Sequence, residues 1–184
     1  MEHLIRVADE VQAALAEERA VVALETTLVA HGFPAPAGIE VGLASETAVR
    51  SAGAVPATIG VVDGCIVVGL TEEQLERFTP DARKLGPRDL AVCAVQGAVG
   101  ATTVGGTLAA AATVGIRFMG TGGLGGVHRG FPTPPDVSAD LDAVRRREAV
   151  RDEGRLQGDD GAPVGERRAH FVTDADQVLH GAAA

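Results

Sequence analysis

Residues 57–74, ATIGVVDGCIVVGLTEEQ, carry a hairpin and a helix start in eighteen positions. Two apolar, largely β-branched runs, 57–62 and 65–70, meet at Asp63-Gly64, a dipeptide suited to a two-residue hairpin turn. Thr71 and Gln74 then have the spacing of a capping box, which opens a short helix over 72–78. Upstream, 37–52 reads as a helix closed by Gly53, and 21–24 as a strand running into Glu25-Thr26-Thr27. Leu4, Val7, Val11 and Leu15 recur at helical spacing and predict an amphipathic helix over 4–18. Downstream come a polar loop holding Lys84, helices near 88–96 and 102–114, and a strand over 116–119. Strands alternating with helices, plus one hairpin, predict a layered α/β domain whose sheet is mixed and partly parallel.

Composition narrows the function classes. The chain has 184 residues, enough for one domain with a substantial core, and a formal net charge of -9. An acidic surface argues against a nucleic-acid partner, and the absence of Tyr and Trp removes base-stacking platforms. Leu90 to Ile116 carries no charge, but the run is mostly Ala, Gly, Thr and Val and contains Gln96, which favours buried helices over a membrane span. The opening MEHLIRVADE lacks the regions of a signal peptide. Cys65 and Cys93 are isolated thiols without C-x-x-C spacing, so the expectation is a cytoplasmic chain.

The chemistry-bearing stretch is 120–140, GTGGLGGVHRGFPTPPDVSAD. Six glycines in the eleven residues from 120 to 130 give up backbone entropy and open the chain to a close-lying anion. Gly120, Gly122 and Gly125 match a dinucleotide fingerprint in form, yet the prolines at 132, 134 and 135 forbid the helix it requires. A loop for a phosphorylated sugar is the better reading, with a purely structural turn as the alternative. Asp136, Ser138 and Asp140 alternate and would share one side of an extended segment, where oxygen donors could hold Mg²⁺ or Mn²⁺ beside a phosphate; helix capping by Ser138 or Asp140 is the alternative.

Three further residues stand out. Glu25 ends an apolar strand, where a carboxylate is costly unless paired or protonated. It reads either as a general acid or base or as a carboxylate that caps a helix or pairs with an arginine. His31-Gly32-Phe33-Pro34 reads as a loop able to close over a ligand. Lys84 is the only lysine in the chain, either a surface charge or a specific anion contact. From residue 145 the character changes: 15 of the last forty residues are Asp, Glu or Arg, with no strand pattern. The expected organisation is an α/β body over 1–144 and a charged, disordered tail over 145–184.

In order along the chain, Ala23-Leu24-Glu25-Thr26-Thr27, His31-Gly32-Phe33-Pro34, Gly53-Ala54-Val55-Pro56-Ala57-Thr58-Ile59, Val68-Gly69-Leu70-Thr71, Lys84 with Arg88-Asp89-Leu90, Gly100-Ala101-Thr102-Thr103-Val104, the glycine-rich stretch and Asp136-Val137-Ser138-Ala139-Asp140-Leu141 resemble the pseudouridine-5'-phosphate glycosidase family, also called indigoidine-synthase-A-like. The resemblance covers about the first half of a family member. It implies an α/β/α fold assembled as a homotrimer, a divalent metal, typically Mn²⁺, and reversible cleavage of the C–C glycosidic bond of pseudouridine 5'-phosphate to uracil and ribose 5-phosphate. It also implies Glu25 as the acid that helps open the ribose ring and Lys84 and Val104 as substrate contacts. Asp136 becomes the metal ligand, and Ser138, Ala139 and Asp140 the sugar-phosphate contacts. The family's nucleophilic lysine lies downstream in a C-A-G-x-K-S run that this chain lacks, so impaired turnover is expected. A non-catalytic phosphosugar-binding module and a structural protomer are the competing readings.

Overall fold

In the computed structural model the described residues are 4–122 and the backbone of 171–172. Eight strands form one mixed sheet: β1 (Ile5–Val7), β2 (Val21–Glu25), β3 (Val55–Val62), β4 (Cys65–Val68), β5 (Arg83–Leu85), β6 (Gly100–Thr102), β7 (Phe118–Gly120) and β8 (Phe171–Val172). Among the described residues five α-helices accompany them: α1 (Asp9–Ala16), α2 (Ala37–Ser51), α3 (Glu72–Leu75), α4 (Leu90–Val95) and α5 (Val104–Thr113). The strand order is β1-β4-β3-β2-β7-β8, with β6 also on β3 and β5 on β6.

The hairpin forms as its sequence dictates. Asp63 and Gly64 both take positive φ, 55° and 71°, the turn geometry whose twist matches antiparallel strands, and Ile59–Val62 pairs with Cys65–Val68. The capping box at Thr71 is complete, because the Thr71 side chain accepts from the Gln74 backbone and the Gln74 side chain accepts from the Thr71 backbone. All eight residues of β3 are buried, as befits a strand covered on both faces. Its odd-numbered residues Val55, Ala57, Ile59 and Val61 meet Val11 and Ala14 of α1, Cys93 of α4 and Leu108 of α5. A second cluster joins Val62 to Val67, Leu75, Phe78 and the partly buried Ile39 and Leu43 of α2. Helices thus cover two sides of the sheet, and the core lies in two layers.

Four local expectations change. The helix expected over 4–18 begins as β1, which pairs in parallel with β4 from Ile5↔Ile66 to Val7↔Val68. Covering the β4 edge outweighs helical spacing there. Lys84 lies on β5, not in a loop, and β6 had no signal at all. His31 falls in a π-helical turn, Leu28–Gly32, rather than an open loop. Phe171–Val172 of the charged tail pairs in parallel with Met119 and Gly120 of β7, where no strand was expected. The rest of the tail lies outside the described residues, as do Asp136, Ser138, Ala139, Asp140 and the glycines beyond Gly122.

The uncharged run from Leu90 to Ile116 divides into α4, β6 and α5, and no helix among the described residues is long and apolar enough to cross a membrane. Cys65 and Cys93 are both free thiols, and burial pushes the Cys93 thiol upward in pKa.

Candidate active site

Two strands end against each other at Ile59. β2 runs parallel to β3 and finishes at Glu25, opposite Ile59. β6 runs antiparallel to the same edge of β3, pairing Ala101 with Gly60, and finishes at Thr102. The edge of β3 therefore passes from β2 to β6 within one residue, and the backbone there needs substitute partners. Threonines supply them. Thr26 and Thr102 hydroxyls both donate to the Ile59 carbonyl, at 2.8 and 2.7 Å, and the Thr102 N–H donates to Thr26 Oγ1 at 2.8 Å. Thr107 of α5 donates to Thr102 Oγ1 at 2.8 Å, and Thr26, Thr102 and Thr107 are all fully buried.

Glu25 stands beside this junction, half-buried at the carboxyl end of the parallel trio β3-β2-β7. Ligands of α/β sheets bind at that end, where strand order reverses. Thr27 and Thr121 hydroxyls donate to its two carboxylate oxygens, each at 2.6 Å. The glycine-rich stretch begins at the end of β7, and its second residue, Thr121, is the one that reaches this carboxylate.

The junction also draws in Lys84 and Val104. Lys84, on β5, pairs with Ala101 of β6, and the next residue, Leu85, gives its carbonyl to both the N–H and the hydroxyl of Thr103, at 3.0 and 3.1 Å. Thr103 caps α5 by accepting from the Gly106 N–H, so Val104 opens that helix one residue on. A Cβ on Gly106 would sit 2.5 Å from the Leu85 carbonyl oxygen, so only glycine lets α5 start so close to β5. Lys84 is exposed, whereas Val104 is buried in the core at the start of α5. His31 links the segment after Glu25 to the start of β5 through Nε2 and the Ala82 carbonyl, 3.1 Å apart.

Of the sequence-predicted site residues, Glu25 ends β2 at this junction, Val104 opens α5 two residues after β6, and Lys84 lies on β5 beside β6. No single one of the threonines that build the junction carries a signal by itself. Their signal was the pair of runs Glu25-Thr26-Thr27 and Thr102-Thr103, each ending a strand. Among the described residues, no three His, Cys, Asp or Glu side chains gather as a metal site.

The family model described as indigoidine synthase A like protein matches residues 10–150. The chain belongs to this family. A protein from Rhodospirillum centenum, named pseudouridine-5'-phosphate glycosidase, is 52% identical over 145 residues, which are 78% of this chain and 45% of that protein. A protein of the same name from Dickeya dadantii is 46% identical over 150 residues, 80% of this chain and 48% of its own length. Among solved structures, the prealnumycin C-glycosynthase AlnA in complex with ribulose 5-phosphate is similar with a TM-score of 0.65 and 45% identity, over 77% of this chain and 46% of that one. An indigoidine synthase A-like protein from Thermotoga maritima gives 0.63 and 35%, over 76% and 45%. The chain spans about half the length of the relatives it matches.

Proposed function

We propose that the chain carries the Glu25 side of a site for reversible C–C cleavage of pseudouridine 5'-phosphate to uracil and ribose 5-phosphate. The observation that carries this reading is the placement of Glu25 at the strand junction, with the strand of Lys84 and the start of α5 adjoining it, in a chain whose relatives bear that enzyme's name. The C-glycosynthase neighbour holds ribulose 5-phosphate, an open-chain sugar phosphate, which suits a site that works on a ring-opened ribose.

Glu25 is the proposed acid for ring opening, and Lys84 and Val104 the substrate contacts. Asp136 is the proposed ligand of a divalent cation, Mn²⁺ by resemblance, and its hard carboxylate oxygens suit such an ion. Bound there, the cation would neutralise charge beside the phosphate. Ser138, Ala139 and Asp140 complete the sugar-phosphate contacts. The reading includes a homotrimer, as the resemblance implies, in the cytoplasm, as the isolated thiols argue.

A C–C bond has no heteroatom to protonate on departure, so an iminium on a lysine would supply the electron sink. Lys84 is the only lysine in these 184 residues, and its assigned role is a substrate contact. That single lysine favours a second reading, a phosphosugar-binding module without turnover. Calorimetry with ribose 5-phosphate and Mn²⁺ tests what the two readings share. Binding is expected, and Lys84→Ala should weaken it about tenfold or more, the worth of one charged hydrogen bond. An unchanged affinity in Lys84→Ala would show that Lys84 is no substrate contact.

A further inference from the structure

The Glu25 carboxylate is held at both oxygens by hydroxyls from different parts of the chain. Thr27 Oγ1 reaches Oε2 from just beyond β2, and Thr121 Oγ1 reaches Oε1 from just beyond β7, each at 2.6 Å. We propose that Thr27 and Thr121 are positioning residues that fix the direction of the Glu25 carboxylate. The proposal rests on the catalytic reading of Glu25 given above.

A glutamate side chain has three torsions and three matching ways to point astray. One hydrogen bond leaves the carboxylate free to pivot about it. Two donors on opposite oxygens set both its place and its plane, which is what a group delivering a proton along a fixed line requires. Both contacts fall in the short range of hydroxyl bonds to a carboxylate. The two donors are anchored differently. Thr27 follows the buried Thr26, which is bound to Ile59 and Thr102, so the seam holds it. Thr121 follows Gly120, which is in register with Leu24 on β2, so the pairing of β7 with β2 sets it. Because Thr121 lies within the glycine-rich stretch, that stretch contributes directly to aiming the acid.

Valine and serine variants separate the hydroxyl from the packing: valine keeps the shape and loses the donor, and serine keeps the donor and loses the methyl. Side-chain three-bond couplings of Glu25, measured by NMR on the whole 184-residue chain, report its rotamer populations without any ligand. One rotamer is expected in the unsubstituted chain, Thr27→Ser and Thr121→Ser, and averaging among rotamers in Thr27→Val and Thr121→Val. A single unmoved rotamer in both valine variants, or averaging in the unsubstituted chain, would overturn the proposal. Valine variants too unstable to measure leave the serine pair and the unsubstituted chain to decide it: averaging in any of these counts against the clamp. Ribose 5-phosphate calorimetry on Glu25→Gln keeps the two ideas apart. If that substitution leaves the heat and affinity unchanged while the couplings behave as expected, the clamp stands and the role assigned to Glu25 falls.

Discussion

Thr26 is the residue on which the strand junction depends. Its hydroxyl donates to Ile59 and accepts from the Thr102 N–H, so one oxygen completes two backbone groups that no strand partner reaches. Thr26→Val keeps the volume and orphans the buried Thr102 N–H. Urea unfolding should show a loss of about 1–3 kcal/mol, the cost of an unsatisfied buried polar group. A neutral result would mean that the N–H finds another acceptor. At the surface, Arg50 donates to both oxygens of Glu10, and that hydrogen bond holds the Glu10 carboxyl below its usual range, against the opposing effect of burial. A lowered carboxylate stabilises the fold above its unfolded pKa, and the contribution disappears as pH falls through the lowered value. The pair is about half exposed, so solvent screening limits it to roughly 1 kcal/mol or less. Arg50→Ala should lower Tm near neutral pH by a small amount and leave it unchanged at strongly acid pH.

At the scale of elements, close approach matters more than propensity. A Cβ on Gly60 would sit 2.4 Å from the Phe78 ring, because β3 lies directly under the segment that follows α3. Gly60→Ala should therefore destabilise by about 1–3 kcal/mol through overpacking, although alanine suits a strand at least as well as glycine. Thermal unfolding checks it, and the double variant Gly60→Ala/Phe78→Leu should recover part of the loss. The hairpin and the capping box were legible because their determinants lie within four residues of one another. β5 and β6 were not, since three residues carry no periodicity. β1 was misread because the 4, 7, 11, 15 spacing runs unbroken across its boundary with α1, and only the uncovered edge of β4 makes a strand of its start.

At the scale of the whole molecule, the prediction concerns turnover. Because the resemblance places the covalent nucleophile on a lysine other than Lys84, these 184 residues assayed by themselves should release uracil from pseudouridine 5'-phosphate and Mn²⁺ several orders of magnitude more slowly than a relative that carries it. Comparable uracil release would sink this expectation and leave Lys84 as the nucleophile. The alternation of strand and helix, the Asp63-Gly64 turn, the Thr71 cap and the distinctive settings of Glu25 and Lys84 are all readable in the order of residues. Each is written in a short window or a family motif. Only the tertiary structure decided that β2 and β6 end against one carbonyl of β3, that buried threonines close the gap, and that Thr121 reaches a carboxylate 96 residues away. Those features depend on which distant segments share an edge, and hydrogen bonds between segments leave no trace in the local order of residues.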